Sequence, residues 1–292
     1  MSEPILQLQN LQRQYDGETV LKGISAEVKK GDVIALLGKN GSGKTTLLET
    51  ILGFATCSFG SAKLWGCEAI AIDGAIKQRI GFVPQQSELM NALDGNAHLA
   101  LYKAFREHWN QALVDRLTIE WLIPMDKAVG KMSVGQQQKL SILLALAHEP
   151  ELLVLDEPVA SLDPVARRQF LQTLIEVAAD EQRAIIFSSH IVSDMERIAN
   201  QVWMLQDGAL SYQAGLDELK ESVARVTIYA QQDLPAQLPC ANILHARVQG
   251  KQATVVFKHW QPADQALIAQ QLNAQLEVEF LSLEDIFLEF NA

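Results

Sequence analysis

Cysteine is scarce in this 292-residue sequence, and its three cysteines form no recognisable set. Cys57, Cys67 and Cys240 are odd in number and match neither the spacing of a CxxC metal site nor that of a disulfide framework. We therefore expect buried or bystander thiols in a protein that works in a reducing compartment.

Long hydrophobic runs are missing as well. No window of the sequence reaches the roughly 18 consecutive apolar residues that a membrane-spanning helix needs. Polar residues are spread through residues 1–18, which lack the apolar core of a secretory signal. From these two features we expect a soluble, cytosolic protein.

Positive charge is also in short supply. The sequence has 24 lysines and arginines against 35 acidic residues, which gives a formal charge of −11. Proteins that capture nucleic acid through its phosphates need a basic surface. The charge balance therefore argues against nucleic acid as a partner.

The hydrophobic pattern predicts a main domain and a smaller appendage. Residues 5–28 alternate apolar and polar positions around Asp16-Gly17, which is typical of a half-exposed antiparallel sheet. Residues 33–37, 152–155 and 184–187 are wholly apolar runs that each precede a polar motif. Such runs predict parallel strands buried on both faces, with functional residues at their carboxyl ends.

Two further regions have their own patterns. Residues 86–150 predict a helical subdomain, in which most of the aromatic residues are expected to pack in the core. Beyond residue 218 the sequence predicts four short strands, a helix at 263–272, and a last helix that begins with a capping-box-like Ser282 and Asp285. We expect residues 219–292 to form a small α+β accessory domain, and this region has no visible catalytic residues.

The segment LLGKNGSGKTTLL, residues 36–48, contains the spacing G-x-x-x-x-G-K-[ST] between a predicted strand and a predicted helix. Its glycines allow backbone amides to turn toward a phosphate, Lys44 reaches the β and γ oxygens, and the Thr45 hydroxyl can ligate Mg²⁺. A glycine-rich connector without a ligand is the alternative. The predicted nucleotide-binding residues here are Gly38, Asn40, Gly41, Ser42, Gly43, Lys44, Thr45 and Thr46.

Two adjacent carboxylates, Asp156 and Glu157, follow the apolar run 152–155. A nucleotide in a phosphate loop needs a carboxylate from a neighbouring strand to hold Mg²⁺, and Asp156 is suited to that task. Glu157 is then the residue that polarises the attacking water. Either acid could instead only cap the following helix.

The segment Ser133-Val134-Gly135-Gln136 lies between these motifs, with Gln136 twenty residues before Asp156. Ser133 is expected to cap a helix whose N-terminus points at phosphate, or else to begin a helix without a ligand. The segment resembles the LSGGQ signature, and residues 4–218 resemble the ATP-binding cassette of ABC transporters. Val134 departs from this signature, because it replaces the first glycine.

The resemblance implies roles for further residues. Tyr15 is similar to the aromatic residue that stacks on adenine, and Gln85 to the glutamine that senses Mg²⁺ and the membrane partner. Asp163 lies in a segment similar to the D-loop, and His190 resembles the switch histidine at the γ-phosphate. The resemblance thus implies ATP and Mg²⁺ as ligands, and the residues fall into three sets. The implied catalytic residues are Glu157, His190, Lys44 and Gln85; the metal-binding residues are Thr45, Gln85 and Asp156; and the signature and D-loop contacts are Ser133, Gly135, Gln136 and Asp163.

The fold class implied is α/β, a P-loop ABC ATPase core with an antiparallel β subdomain and a helical subdomain, followed by the α+β domain. The nucleotide-binding domain is expected over 1–218 and the accessory domain over 219–292. Residues 283–289, LEDIFLE, resemble the ending of cassettes from ABC-2-type exporters. That resemblance implies separate membrane-spanning permease subunits, a second copy of the cassette, and a location at the cytoplasmic face of the inner membrane.

Two other functions stay open at this point. A soluble ABC ATPase acting on DNA or ribosomes is disfavoured, because the chain has one cassette, no inserted coiled coil and an acidic balance. A regulatory ATP-binding module with weak ATPase activity is kept open by Val134. The accessory domain is expected to support dimerisation or to regulate the ATPase.

Overall fold

The structure, a computed structural model, describes residues 3–291. It divides into two compact units, the first ending at Gln213 and the second beginning at Ala214. This division falls five residues before the predicted boundary at 218. The helix Leu216–Ser222 belongs to the second unit, where the Trp260 amide donates to the Ser222 carbonyl at 2.8 Å.

The elements of the first unit, in chain order, are β1 (Leu6–Tyr15), β2 (Glu18–Val28), β3 (Val33–Leu37), α1 (Lys44–Ile51), β4 (Phe59–Leu64), β5 (Cys67–Glu68), α2 (Gly74–Gln78), β6 (Ile80–Val83), α3 (Gly95–Ala104), α4 (Gln111–Glu120), α5 (Val134–Leu146), β7 (Leu152–Leu155), α6 (Pro164–Ala178), β8 (Ala184–Ser188), α7 (Val192–Met195), β9 (Gln201–Gln206) and β10 (Ala209–Gly215). The last two residues of β10 pass into the second unit.

The main sheet has the strand order β10-β9-β3-β8-β7-β6. β3 pairs in parallel with both β8 and β9, and β7 pairs in parallel with both β8 and β6. Every residue of β3, β7 and β8 is buried, since these strands are apolar on both faces and are covered on both sides. The prediction of buried parallel strands is confirmed. Their carboxyl ends lie along one edge, which brings distant loops together.

A second sheet, with the order β2-β1-β4-β5, is antiparallel. β1 and β2 form a hairpin whose turn residues, Asp16 and Gly17, both have positive φ. The buried face of this sheet joins the same apolar core as β3 and α1, with Leu8 and Leu21 packed in a cluster that also holds Leu47. The predicted antiparallel subdomain is therefore present, and it is anchored beside the start of α1.

Helices α3, α4 and α5 occupy most of the predicted helical region. Each begins at a side-chain cap, since Asp94, Asn110 and Ser133 accept hydrogen bonds from the amides of the first turn. The periodic run before Pro124 is two helices, because α3 ends at Ala104. Phe105 follows that end and is 74% exposed, whereas Trp121 is buried. Core packing therefore describes Trp121 but not Phe105.

The second unit contains α8 (Leu216–Ser222), β11 (Ala224–Ala230), β12 (Ile243–Gln249), β13 (Gln252–Phe257), α9 (Pro262–Leu272), β14 (Ala274–Phe280) and α10 (Leu283–Phe290). Its antiparallel sheet has the order β12-β13-β11-β14. Apolar residues of the sheet pack with Ile268 of α9 in one core. The predicted start of the last helix is confirmed, because the Ser282 hydroxyl accepts from the Asp285 amide at 3.1 Å. The small α+β unit is thus as expected in class.

None of the helices formed by residues 3–291 combines the length and the apolar character that crossing a membrane requires.

Candidate functional site

The loop between β3 and α1 forms a tight cradle of backbone amides. Gly43 has φ +103°, a conformation that a residue with a side chain rarely adopts, and α1 begins directly after it. A Cβ added to Gly38 would lie 2.4 Å from Ser42 Oγ and 2.6 Å from the Leu205 carbonyl oxygen. The glycine spacing therefore reflects backbone packing as well as access to a ligand.

Lys44 closes this loop from the inside. Its ammonium donates to the carbonyl of Gly38 at 2.8 Å and to that of Lys39 at 3.3 Å. Burial lowers the pKa of Lys44 below its usual value of 10.5, while the negative charges of Glu157 and Asp156 oppose that shift. The lysine bonds only to carbonyls among its described partners, so its charge is available to an anion in the cradle.

Asp156 lies opposite the cradle because β7 ends one residue before it. The Thr45 hydroxyl donates to Asp156 Oδ2 at 2.7 Å, across 111 residues of sequence. The Ser188 hydroxyl donates to Asp156 Oδ1 at 2.6 Å. Both carboxylate oxygens are therefore held, and Oδ2 and the Thr45 hydroxyl form a pair of hard oxygen donors at the start of α1.

Glu157 is paired with His190. Glu157 Oε2 accepts from His190 Nδ1 at 2.7 Å and from the His190 amide at 3.2 Å. Because an ionised carboxylate only accepts hydrogen bonds, Nδ1 carries the proton in this arrangement. Glu157 is buried whereas 58% of the His190 side chain is exposed. The histidine thus holds the carboxylate from the solvent side.

One cavity of about 310 Å³ is lined by Lys44, Thr45, Asp156 and Glu157 among others, whereas Gly38, Ser42 and His190 do not line it. Its walls come from the cradle, from the ends of β6 and β7, and from the antiparallel sheet. The lining residues are Val20, Asn40, Gly41, Gly43, Lys44, Thr45, Thr46, Gln85, Asp156 and Glu157. The structure therefore brings Gln85, which follows β6, to the same cavity as the phosphate loop.

The cavity has the chemistry of a site for a phosphate chain. Its floor has backbone amides at a helix N-terminus, a buried ammonium and hydroxyl groups, all of which favour anions. Ser42, in the same loop but outside the lining set, has a buried Oγ with no hydrogen-bond partner within residues 3–291. The two carboxylates on the opposite wall would repel a bare phosphate, but they suit a phosphate accompanied by a divalent cation.

Tyr15 does not line this cavity. It ends β1, it is 40% exposed, and the guanidinium of Arg13 lies 4.3 Å from the centre of its ring. Its flat face is thus shared with a cation of its own strand. The stacking of Tyr15 on adenine stays a prediction.

The signature-like residues and Asp163 also lie outside the lining set. Ser133 and Gln136 form a reciprocal capping box at the start of α5. A Cβ on Gly135 would lie 3.0 Å from the Ser161 carbonyl oxygen, so the start of α5 approaches the segment before α6. Asp163 caps α6 by accepting from the amides of Val165 and Ala166. Within one chain, Ser133, Gln136 and Asp163 therefore serve to cap helices.

The sequence analysis did not predict two residues at or near the cavity, Val20 and Ser188. Val20 comes from β2, and no sequence pattern distinguishes it from other apolar residues of that strand. Ser188 has no assigned role in the sequence analysis, yet it is the one polar residue in the buried strand Ala184–Ser188. A fully buried hydroxyl at the end of an apolar strand is a signal that sequence reasoning can use.

A strand, a glycine-rich loop and a helix that begins at a buried lysine, beside a carboxylate on a parallel strand, define a P-loop nucleotide-binding protein. Comparisons with known proteins narrow this class. A family model described as ABC transporter matches residues 21–160. The solved "Structure of ATP binding subunit of ABC transporter" superposes with a TM-score of 0.67 at 26% identity, covering 73% of this chain and 91% of that one.

Relatives of similar sequence carry related names. The "Uncharacterized ABC transporter ATP-binding protein YdbJ" of Bacillus subtilis is 30% identical, covering 99% of this chain and 96% of the relative. The "Nod factor export ATP-binding protein I" of Burkholderia pseudomallei is 33% identical, covering 71% of this chain and 70% of the relative. The "Phosphonates import ATP-binding protein PhnC" of Wolinella succinogenes is 29% identical, covering 78% and 90%. The chain therefore belongs to the ATP-binding subunits of ABC transporters, and its enzymatic activity is that of an ATPase.

Proposed function

We propose that this chain hydrolyses ATP to energise an exporter whose membrane-spanning subunits are separate chains. The observation that carries the proposal is the cavity in which Lys44, Thr45, Asp156 and Glu157 meet. Hydrolysis needs an anion cradle, a cation-binding carboxylate and a group that takes a proton from water. This one cavity contains a candidate for each.

The chain's own residues divide the work of hydrolysis. The amides between Gly38 and Lys44 orient the phosphate chain, and the buried Lys44 ammonium offsets the negative charge that moves onto the leaving oxygen. Glu157 polarises the attacking water and takes its proton. His190 keeps the Glu157 carboxylate in place through the bond at 2.7 Å, so that little reorganisation is needed during reaction.

We further propose Mg²⁺ as the accompanying cation, held by Thr45 and Asp156 with Gln85 nearby. The support is the donor set, since hydroxyl and carboxylate oxygens are the ligands that Mg²⁺ prefers. When bound, Mg²⁺ would neutralise charge on the transferred phosphate and help to orient it. Gln85, two residues after the end of β6, lines the same cavity, and we infer that it reports this occupancy to a membrane partner.

A second copy of the chain is the partner we infer for the signature. Ser133, Gly135 and Gln136 begin α5 outside their own chain's cavity, where the helix N-terminus presents a capped but positively polarised end. In a head-to-tail dimer, these residues and Asp163 would approach the nucleotide of the other copy. ATP would then join two chains, and hydrolysis would release them.

The permease and the direction of transport are the remaining parts of the proposal. Membership of the transporter ATPase family supports a location at the cytoplasmic face of the membrane, held there by permease subunits. Relatives named for export and for import share the cassette, so the cassette itself does not carry the direction. The ending LEDIFLE at residues 283–289, with its resemblance to ABC-2-type exporters, favours export.

The test is to identify what the trapped ATPase binds. The Glu157→Gln variant is expressed in the organism of origin and trapped with ATP and Mg²⁺. Membranes are then solubilised, and the co-purifying proteins are identified by mass spectrometry. We expect one or two co-purifying proteins with about six predicted membrane-spanning helices each. Each such helix needs roughly 20 apolar residues, so these proteins can be recognised from their sequences.

Controls decide between the outcomes. Trapping without ATP measures background, and Lys44→Ala in the same protocol measures what depends on the phosphate cradle. Recovery of ribosomes or soluble proteins alone would overturn the transport function. Recovery of a permease in cells that accumulate a solute through it would overturn export and leave the ATPase function intact.

A further inference from the structure

Ser188 lies at the last position of β8, directly beside the catalytic carboxylates. It is 0% exposed, and the four residues before it in β8 are apolar. In the sheet it pairs with Leu36 of β3, two residues before the phosphate loop begins. A hydroxyl buried at this depth must satisfy its hydrogen bonds within the protein.

Both bonds of the Ser188 hydroxyl reach the two neighbouring acids. It donates to Asp156 Oδ1 at 2.6 Å, and it accepts from the Glu157 amide at 2.8 Å. Since Thr45 occupies Asp156 Oδ2, the serine sets the rotation of the carboxylate from the opposite side. A single oxygen atom therefore contacts the cation-binding acid and the backbone of the water-polarising acid.

The backbone of Glu157 needs such support. Its φ is +48°, in the left-handed region that residues with a side chain seldom occupy. This conformation directs the Glu157 carboxylate to the amide and ring of His190. The bond from the Glu157 amide to Ser188 holds the peptide in that unusual orientation.

We propose that Ser188 is a positioning residue for hydrolysis, whose hydroxyl orients the cation-binding carboxylate of Asp156 and maintains the left-handed backbone that aims Glu157. The inference deepens the proposed function and rests on it for the roles of the two acids. A buried hydroxyl with only a structural role would stabilise the fold without changing how nucleotide binding responds to a divalent cation.

The experiment compares Ser188→Ala with Ser188→Thr and Ser189→Ala in the full chain. Ser189 is the matched control, because it is also buried but, among residues 3–291, its hydroxyl accepts only from the Ile191 amide. The affinity for a fluorescent ADP is measured with EDTA and with Mg²⁺, and steady-state ATPase activity gives kcat and KM. Thermal unfolding is recorded for every variant.

For Ser188→Ala we expect the affinity in EDTA to stay within about threefold of wild type. The gain in affinity on adding Mg²⁺ should fall by about 10- to 100-fold, and kcat by a similar factor, which is the usual effect of removing a group that orients a metal ligand. Ser188→Thr keeps the hydroxyl, so both its gain in affinity on adding Mg²⁺ and its kcat should be close to those of the wild type. Ser189→Ala should behave as wild type.

The proposal is overturned if Ser188→Ala retains the Mg²⁺ gain and kcat, or if Ser189→Ala loses them equally. If Ser188→Ala does not fold, Ser188→Cys keeps the volume with a weak donor. An unchanged Mg²⁺ gain in that variant would also overturn the proposal. A wild-type protein with no Mg²⁺-dependent turnover would instead contradict the proposed function, because the nucleotide-binding comparison does not need turnover.

Discussion

Replacing Glu157 by glutamine removes one negative charge from the cavity and changes its shape very little. Glu157 is 7% exposed, and one of its carboxylate oxygens accepts two bonds from His190. The amide oxygen of glutamine can accept the same bonds. The variant therefore keeps the position of the side chain and loses only its ability to take a proton from water.

The size of the effect follows from the role. General acid–base catalysis by one group contributes about 10²- to 10⁴-fold, which is about 3 to 5 kcal/mol of the activation barrier. We expect kcat to fall by that factor, while ATP binding at neutral pH stays within about threefold, because the cradle is untouched. The Glu157 charge also raises the pKa of Lys44. Without the Glu157 charge the pKa of Lys44 falls further. As the pH is raised, the variant should therefore lose its affinity for ATP at a lower pH than the wild-type protein does.

Phosphate release under single-turnover conditions measures the hydrolysis step, and equilibrium dialysis measures the binding of ATP. Glu149→Gln is the matched control, since Glu149 is also a glutamate bonded to a histidine, His108, but lies outside the cavity. The control should hydrolyse ATP within about threefold of wild type. Hydrolysis by Glu157→Gln within tenfold of wild type would refute the assignment of Glu157 as the proton acceptor.

Two further predictions address the loop and the pH dependence of stability. Gly38→Ala should weaken ATP binding by at least tenfold in dialysis, because its Cβ would lie 2.4 Å from Ser42 Oγ, whereas Gly74→Ala, with open space around the new Cβ, should bind normally. Burial lowers the pKa of His148 to about 4, while its usual value is 6.5. The unfolded chain therefore gains a proton first on acidification, so stability is lost as pH falls from 6.5 to 4, by about 3 kcal/mol in full. His148→Gln, which keeps a donor for the Ile80 carbonyl, should flatten that slope in urea unfolding at pH 7 and 4.5; an unchanged slope would contradict the reasoning.

The phosphate loop was predictable because all its requirements are local. Gly38, Gly43, Lys44 and Thr45 lie within eight consecutive residues, and the strand and helix around them have clear apolar patterns. Helix caps such as Ser282 were predictable for the same reason, since a capping side chain bonds within its own first turn.

The end of the first unit and the exposure of Phe105 were harder to predict. The division after Gln213 depends on which unit α8 packs with, and that contact involves Trp260, far along the chain. Phe105 has the spacing of a core residue, but α3 ends before it and leaves it exposed. The first feature depends on a contact between distant segments, and the second on where a helix ends.

The sequence alone determined the class of this protein, an α/β nucleotide-binding ATPase with Lys44, Asp156 and Glu157 at its centre, because short motifs encode backbone cradles and strand ends. Only the tertiary structure decided how these residues work together. The order β3-β8-β7 sets Thr45 against Asp156 and puts Ser188 between the two acids. In that order β3 pairs with β8 across 152 residues of sequence, from Val33 to Ile185, and no local spacing in the sequence records such a pairing.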